Sequence, residues 1–293
     1  MISVIIPSYN SENTISKCLD SLEDQSYTGD FEIIVVDSSH DRTSEIISTN
    51  YPEVKLTHLN KRTDPGTARN IGIGQATWDL IAFLDSDCVP ARDWVERIVS
   101  AHAHESSCHI IGGIVKNGSD RDDPVGCAGY MAEFRDFLPR KDKQEVTHIP
   151  TCNVSYKKRI FRDFGLFQGK YYPQEDLIFN YNLWNQGESI LLDPAIQVWH
   201  HHRSRLKDFL YHQNRIGRAT SRVLRTIPLQ GSFIARCSLL ATCLLPFITL
   251  VKFVKTIRIF LRCQPGFIKE CPLVLPVFAL GLVCWAIGFV GSL

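Results

Sequence analysis

The sequence predicts an α/β protein with a mostly parallel sheet flanked by helices, followed by a basic and apolar tail. Short runs of β-branched residues alternate with stretches of helical spacing, which is the pattern of β-α-β units. Three of these runs end abruptly, at Pro7, Asp37 and Asp85. Because crossovers between parallel strands are right-handed, the three strand ends fall on one edge of the sheet, where open α/β sheets bind ligands.

The individual elements follow from the positions of the apolar residues. The predicted strands cover residues 3–7, 31–36, 54–59, 81–84, 109–115 and 147–156. After the first strand, Ile15, Cys18, Leu19 and Leu22 share one helical face. Further helices are expected through residues 46–47, from residue 65, and over residues 94–101, 157–167 and 175–187.

Two carboxylates one residue apart follow the fourth predicted strand. Asp85 and Asp87 frame Ser86 at the end of an apolar run. Carboxylates in such positions hold hard cations such as Mg²⁺ or Mn²⁺, which enter with the diphosphate of a substrate. A solvated turn with two acids is the alternative, because Asp-x-Asp is a common tripeptide. The interpretation of Asp85 and Asp87 as a metal site therefore depends on which other residues reach the same edge of the sheet.

Other polar residues stand at neighbouring strand ends and helix starts. Asp37 follows the second strand, where a carboxylate can bind a nucleobase or ribose, or can only stabilise a turn. Arg69 lies near a helix start, where it can meet phosphate oxygens or face solvent. Glu175 and Asp176 stand at the start of a later helix. They can have a catalytic role, or they can only stabilise the helix N-terminus, where the helix dipole favours acids. No Gly-x-Gly-x-x-Gly or Gly-Lys-Ser/Thr loop follows the first strand, which disfavours dinucleotide-binding and P-loop folds.

Two stretches can complete the site or control access to it. His200, His201 and His202 follow a strand, and one of them can ligate a metal, since imidazole suits Mn²⁺. A surface histidine tract is the alternative. Residues 117–146 are charged and irregular, with a short helix expected around residues 130–137. A polar insertion of this length is typical of a mobile lid or of a partner surface.

Charge divides the chain into two parts, although its 293 residues carry a formal net charge of only +1. Residues 1–199 have a net charge of −10 and residues 200–293 have +11. An acidic globular part with a basic, apolar tail indicates a domain held at an anionic membrane surface. Nucleic acid is disfavoured as a partner, because the basic residues are interleaved with long apolar runs rather than with stacking aromatics.

Cysteine usage and the N-terminus indicate a reducing compartment. None of the ten cysteines falls in a Cys-x-x-Cys pair, and five of them lie in or beside very apolar sequence. Buried or membrane-facing thiols are therefore expected rather than a zinc site or disulfides. No cleavable signal peptide is expected, because the apolar run that begins at Ile2 turns polar at Ser8.

The tail contains a basic amphipathic stretch and two apolar segments. Residues 204–230 mix apolar and arginine positions as an interfacial helix does. The first expected segment, residues 237–254, has an uncharged run of 15 residues over 237–251 that is short for a span and contains Pro246, whereas residues 271–293 are uncharged and long enough to cross. Five basic residues, from Lys252 to Lys269, follow the first run, and a full crossing there would break the positive-inside rule. A shallow first segment, a two-span hairpin, and an interfacial first segment with one C-terminal span are all compatible with this pattern.

The expected organisation is therefore a catalytic domain over residues 1–203, an interfacial helix over 204–230, and a membrane-associated region over 231–293.

The ordered motifs of residues 1–225 resemble glycosyltransferase family 2, whose members have the GT-A fold. The resemblance is carried by residues 4–10, 35–43, 68–72 and 83–87, and by Glu175-Asp176 followed by Gly187. Ser38 and Ser39 depart from the family pattern, in which a second acid and a glycine are more common. The series of motifs in this order is more specific than any single motif.

The resemblance, carried over position by position, implies a role for each matched residue. It assigns nucleoside or nucleotide contacts to Pro7, Tyr9, Asp37, Arg69 and Asp85. It assigns a metal, Mn²⁺ or Mg²⁺, to Asp87 with Asp85, and we expect His200 or His202 to assist. Asp176 is the expected catalytic base, and Asn153 and Glu175 are expected to orient the acceptor or the base.

The activity that the resemblance implies is transfer of a sugar, with inversion, from a nucleotide diphosphate donor to an acceptor hydroxyl or phosphate. UDP-sugars are the commonest donors in the family. The basic, apolar tail favours a lipid-linked acceptor over a soluble glycan, with the catalytic domain at the cytoplasmic membrane face. A sugar nucleotidyltransferase is one alternative, but residues 7–9 do not form its Gly-rich basic loop. A non-catalytic membrane protein that binds nucleotide is another, which the Asp-x-Asp and Glu-Asp pairs disfavour.

Overall fold

The computed structural model describes residues 1–229 and 231–292. Within these residues, a first compact unit comprises residues 1–116 and 140–200, and a sheet of nine strands lies at its centre. The strands are β1 (Ile2–Ser8), β2 (Phe31–Asp37), β3 (Lys55–His58), β4 (Leu80–Leu84), β5 (Cys88–Pro90), β6 (Ile110–Asn117), β7 (Gln144–Val146), β8 (Asn153–Lys157) and β9 (Ile190–His200). Their order is β3-β2-β1-β4-β8-β6-β9-β5, and β7 pairs with β9.

The sheet is mixed, which corrects the expectation of a mostly parallel one. β1 is parallel to β2 and β4, and β2 is parallel to β3. β8 is antiparallel to β4 and β6, and β9 is antiparallel to β5 and β7. Parallel neighbours need a long crossover, and after β4 the chain no longer alternates strictly between strand and helix. The α/β class itself is confirmed.

Helices occur in the same unit as this sheet and in the remaining part of the described chain. The helices are α1 (Ile15–Glu23), α2 (Thr43–Asn50), α3 (Pro65–Gln75), α4 (Trp94–His104), α5 (Pro124–Glu133), α6 (Arg159–Phe164), α7 (Glu175–Asn185), α8 (Leu206–Thr226), α9 (Ser232–Ala235), α10 (Ser238–Cys263), α11 (Phe267–Glu270) and α12 (Val274–Val290). A 3₁₀ helix covers Gly169–Tyr171. α1 buries the four apolar residues that helical spacing predicted for its inner face.

α3 approaches β1 so closely that one of its glycines has no room for a side chain. A Cβ at Gly72 would overlap Ile5 Cγ2, whereas a Cβ at Gly74 would meet no atom within 4 Å. We expect Gly72→Ala to lower the free energy of unfolding by about 1–3 kcal/mol through overpacking. Gly74→Ala is expected to raise it by about 0.5–1 kcal/mol, because alanine loses less backbone entropy in a helix. Urea unfolding measures both, and equal effects would contradict the close approach of α3 to β1.

A second unit comprises residues 117–139 and 201–292 and is built from α5 and α8–α12. The expected organisation places residues 117–139 in the catalytic domain, within an insertion expected to be a mobile lid or a partner surface. The structure groups them with the tail instead, and residues 124–133 form α5, earlier than the helix expected around residues 130–137. Residues 230 and 293, which end two of the expected segments, lie outside the described residues.

One helix in the described part of the tail is long and apolar enough to cross a membrane. α10 runs for 26 residues through Pro246, beyond the expected segment 237–254. α12 has 17 residues, fewer than the uncharged run over residues 271–293 suggested. Length and composition are weak evidence for membrane association, because core helices of soluble proteins can have both.

Candidate active site

The ends of β1, β2 and β4 meet at one edge of the sheet, as the sequence predicted. Ser8 lies opposite Asp37 in the pairing of β1 with β2. Ile5 lies opposite Phe83 in the pairing of β1 with β4, which brings Asp85 level with Pro7. Pro7 itself is buried within β1. Pro7, Asp37 and Asp85 are therefore neighbours at this edge.

Asp37 is fully buried, and both of its carboxylate oxygens accept hydrogen bonds. The Ser39 hydroxyl donates to Oδ1, the Ser39 N–H donates to Oδ2 at 3.2 Å, and His58 Nδ1 lies 2.8 Å from Oδ2. In this arrangement the carboxylate holds the turn after β2 and fixes the ring of His58. Its predicted contact with a nucleoside stays a prediction. His58, which sequence reasoning missed, ends β3 opposite Asp37 and has a side chain that is 38% exposed.

Tyr9 follows β1 and is surrounded by groups suited to a base and a phosphate. The guanidinium of Arg62 lies 4.5 Å from the centroid of the Tyr9 ring, and His40 packs against that ring edge-on at 6.4 Å. The His40 N–H donates to Asn10 Oδ1, which ties the loop after β1 to the loop after β2. Arg62 was missed as well. Its signal in the sequence is weak, since it lies in an irregular stretch between β3 and α3.

Arg69 is a buried arginine that joins two of the predicted acids. Its Nη2 donates to Asp85 Oδ1 at 2.7 Å, and its Nη1 donates to Glu175 Oε1 at 3.0 Å. Both terminal nitrogens of Arg69 thus have carboxylate partners within the fold, and its predicted contact with the nucleotide stays a prediction. Burial alone would lower the pKa of Arg69, but Asp85 and Glu175 raise it above its usual value, so the guanidinium stays charged.

Glu175 is the more buried of the two carboxylates that Arg69 binds. Burial raises the pKa of Glu175 to about 7, against the opposing effect of Arg69. The first turn of α3 packs on this side chain, because a Cβ at Gly66 would lie 2.9 Å from Glu175 Cγ. Glu175 and Arg69 therefore support Asp85, whose side chain is 29% exposed and faces the site edge.

Asp87 and His200 form a carboxylate–imidazole pair beside Asp85. β5 pairs with β9 so that Cys88 lies opposite His200, and this places His200 Nε2 3.4 Å from Asp87 Oδ1. One ligand atom each from Asp87, Cys88 and His200 lie within 4.8 Å of one another. Burial, together with Cys152, raises the pKa of the Cys88 thiol well above its usual value in the metal-free protein. The carboxylate oxygen of Asp87 and the imidazole nitrogen of His200 are donors that suit a hard cation such as Mn²⁺.

His202 does not belong to this cluster. It lies in the second unit, where its N–H donates to Ser119 Oγ at 3.1 Å and its ring packs against Phe134 at 5.4 Å. Of the two histidines predicted as metal ligands, the described residues therefore bring only His200 to Asp87.

Asp176 stands in the first turn of α7 with its carboxylate held on both sides. Its Oδ1 accepts the N–H of Leu177 at 2.7 Å, and its Oδ2 accepts the N–H and the hydroxyl of Thr151 at 3.2 and 3.4 Å. The residue is partly exposed. A carboxylate that is oriented and still accessible can accept a proton from a hydroxyl.

Asn153 has structural partners within the fold, and its predicted role in acceptor orientation stays a prediction. It is fully buried, its Oδ1 accepts from Trp94 Nε1, and its Nδ2 donates to the carbonyls of Ile114 and Ile196. The side chain therefore joins α4 to β6 and β9. Both hydrogens of its amide nitrogen are used within the fold, and the whole side chain is shielded from solvent.

We expect Asn153→Ala to destabilise the protein rather than to weaken substrate binding selectively. The substitution leaves an indole N–H and two carbonyls without this partner, and each unsatisfied buried group costs about 1–3 kcal/mol. Urea unfolding measures the loss of unfolding free energy. Asn182→Ala is the matched control, because Asn182 is exposed on α7. An effect on the KM for the acceptor with unchanged stability would restore the orienting role.

Comparison with known proteins adds two relatives and a family match. A family model described as glycosyl transferase family 2 matches residues 3–165. Glycosyltransferase AglE of Haloferax volcanii is 30% identical over 231 residues, which cover 76% of this chain and 73% of that protein. A Methanococcus voltae protein is 24% identical over 301 residues, covering 94% of this chain and 93% of its own length. It is named dolichyl N-acetyl-alpha-D-glucosaminyl phosphate 3-beta-D-2,3-diacetamido-2,3-dideoxy-beta-D-glucuronosyltransferase.

Solved structures show the same fold at low sequence identity. The mannosyltransferase PcManGT from Pyrobaculum calidifontis, in complex with GDP-Man and Mn²⁺, aligns with a TM-score of 0.63 at 17% identity, covering 98% of this chain and 86% of its own. TarS residues 1–349 from S. aureus, in complex with UDP-GlcNAc, align with a TM-score of 0.57 at 17% identity, covering 99% and 90%. At this identity the likeness establishes the fold alone.

Proposed function

Because this chain belongs to glycosyltransferase family 2, we propose that it transfers a sugar, with inversion, from a UDP-sugar to a lipid-linked acceptor hydroxyl or phosphate. The observation that carries the proposal is the Asp87–His200 pair next to Asp85, at the sheet edge where strand ends converge. Asp87 and His200 would hold Mn²⁺ or Mg²⁺, with Asp85 beside them. When bound, such a cation stabilises the negative charge that accumulates on a leaving diphosphate.

The donor's nucleoside would lie near Tyr9, where Arg62 and His58 add a cation and a partly exposed imidazole. Asp37 acts there through His58, whose ring it fixes. The TarS structure with UDP-GlcNAc supports uridine as the base. The PcManGT structure with GDP-Man makes guanosine the competitor that an experiment has to separate from it.

Asp176 would take the proton of the acceptor hydroxyl as its oxygen attacks the anomeric carbon. The bonds from Thr151 and Leu177 fix the direction of the carboxylate, so that little reorientation is needed at the moment of attack. One displacement by the acceptor inverts the anomeric centre. The diphosphate leaves towards Asp87 and His200.

The proposed acceptor is linked to a lipid, and the proposed location is the cytoplasmic face of a membrane. The Methanococcus voltae relative, whose name gives a dolichyl-linked sugar phosphate, matches almost the whole of this chain. The candidate membrane helix α10 and the net charge of +11 over residues 200–293 support the same conclusion.

A thermal-shift screen tests the donor and the cation. We expect one UDP-sugar with Mn²⁺ to raise the Tm, because a ligand at 100 times its Kd stabilises the folded state by about 2.7 kcal/mol. Asp87→Asn and His200→Ala are expected to lose the part of the shift that depends on Mn²⁺. Asp142→Asn and His104→Ala, at exposed positions, serve as matched controls. A larger shift with GDP-sugars would reject uridine, and no shift with any nucleotide sugar would contradict the proposed function.

A further inference from the structure

The inner face of α8 is covered within the second unit, although the sequence suggested that this helix lies on a membrane. α12 runs along α8 at very close range. A Cβ at Gly217 would overlap the carbonyl of Trp285, and a Cβ at Gly288 would overlap the carbonyl of Asn214. Asn214 Nδ2 also donates to the Cys284 carbonyl at 3.1 Å. α8 therefore has a protein partner for this face.

The length of α12 and its packing against α8 indicate that α12 does not cross a bilayer. Its 17 residues span about 26 Å at 1.5 Å per residue, which is short for a hydrocarbon core of about 30 Å. One side of α12 is occupied by α8, whose other side exposes Arg218 and Arg222. A crossing α12 would set these charges at one edge of the hydrocarbon core, because Ser221, which lies between them on α8, donates to the carbonyl of Ser292 beyond the end of α12.

The outward faces of α10 and α12 are strongly apolar. On α10, Leu239, Phe247 and Leu250 are 77%, 65% and 58% exposed. On α12, the exposed stripe contains Leu280, Val283 and Ile287. A groove of about 580 Å³ runs between the two helices and has no charged residue in its lining. Contiguous apolar surface of this kind marks an interaction site rather than ordinary surface.

Three exposed basic residues flank this apolar face on α10. Lys255, Arg258 and Arg262 have the spacing i, i+3, i+7, which places them along one side of the helix. No acidic residue occurs in Ser238–Cys263. A crossing α10 would place these cations at one end of the span, because about 20 of its 26 residues suffice to cross. A helix that lies in the plane of the interface instead keeps them at the level of the phosphates and its apolar stripe among the acyl chains.

We propose that the second unit docks on a leaflet of anionic phospholipid with α10 in the membrane plane, and that the groove between α10 and α12 receives a hydrocarbon chain. The protein is then attached to one leaflet and crosses none. This inference deepens the membrane association within the proposed function. Its tests measure lipid binding and sidedness rather than sugar transfer, so failure of the docking and failure of the glycosyltransferase assignment can be told apart.

Vesicle co-sedimentation of the full chain tests the charged part of the surface. Vesicles of phosphatidylcholine with phosphatidylglycerol are expected to bind the protein more tightly than phosphatidylcholine alone. Arg258→Glu/Arg262→Glu should weaken this binding by about tenfold or more. Arg218→Glu/Arg222→Glu reverses two exposed charges of the same spacing on α8 and should leave it unchanged. Equal effects of the two pairs, no binding of the parent protein, or self-association in place of lipid binding would overturn the proposal.

Thiol labelling distinguishes docking from crossing, because native cysteines stand at both ends of α10. Cys237 precedes its first residue and Cys263 is its last, and both are exposed. Variants that keep one of these two, with Cys243 and Cys284 also replaced by serine, are labelled with a membrane-impermeant maleimide in sealed vesicles from expressing cells. A variant in which all four of these cysteines are replaced by serine gives the background labelling. Labelling of both ends from the same side supports docking in the plane, and labelling from opposite sides overturns it.

Discussion

Replacing Asp176 with asparagine is expected to lower kcat for sugar transfer by about 10²–10⁴-fold, the usual contribution of a general base. The amide has nearly the same shape, and its oxygen can still accept a hydrogen bond from Thr151 or Leu177. It cannot take a proton from the acceptor hydroxyl. Because Asp176 is separate from the Asp87–His200 pair, binding of the nucleotide sugar should be unchanged. Steady-state kinetics and a thermal-shift titration with the donor measure the two quantities.

The matched control for this substitution is Asp163→Asn. Asp163 lies on α6 and pairs with Arg162 in solvent. The substitution Asp163→Asn removes the same negative charge but leaves the residues at the site edge unchanged. Full activity of the Asp176 variant, or an equal loss in both variants, would show that the proton is accepted elsewhere.

Replacing Arg69 with methionine is expected to lower the free energy of unfolding by about 3–5 kcal/mol, the cost of breaking a buried ion pair by removal of one partner. Glu175 is 4% exposed and would lose its only cationic partner among the described ion pairs. Asp85 would lose the group that fixes its direction, so donor binding should fall as well. Urea unfolding and the donor thermal shift measure these effects.

Two variants sharpen the Arg69 experiment. Arg97→Met removes an arginine from an exposed pair with Asp93, which is worth only about 0.2–1 kcal/mol. Arg69→Met combined with Glu175→Leu should regain part of the stability, because it removes the uncompensated carboxylate as well. If Arg69→Met cost no more than Arg97→Met, Arg69 would not be the support that joins Asp85 to Glu175.

The first half of the sheet was predictable because its signals are local. β1, β2 and β4 are continuous apolar runs that end in a polar residue, and such runs identify buried parallel strands. Their shared edge followed from the handedness of crossovers. β5 has only three residues, and its pairing with β9 depends on contacts more than 100 residues apart. Local periodicity carries no information about such a pair, so the mixed character of the sheet was missed.

The candidate site was predictable in its residue types and less so in its partners. Asp85 and Asp87 stood out as a pair, but only the register of β5 against β9 selects His200 over His202. Arg69 and Asn153 were recognised as polar residues near the site, yet burial gives both of them structural partners. His58 and Arg62 have no motif around them and became visible only through their contacts with Asp37 and Tyr9.

In the tail, the sequence predicted the helical pattern of α8 but not the partner of its apolar side. The arginines and apolar residues of α8 have the spacing of an interfacial helix, and this pattern cannot state whether lipid or protein covers the apolar side. The small residues Gly217 and Gly288 are the signal of close helix packing. They point to α12 as the partner of α8.

Sugar transfer with inversion from a nucleotide diphosphate donor is tested by the anomeric configuration of the product. The purified protein would be incubated with Mn²⁺, an α-linked UDP-sugar and a lipid-linked acceptor, and the product would be examined by proton NMR. We expect a β-linked product together with release of UDP. A product that retains the α configuration, or a reaction that consumes a sugar phosphate and a nucleoside triphosphate and releases pyrophosphate, would contradict it.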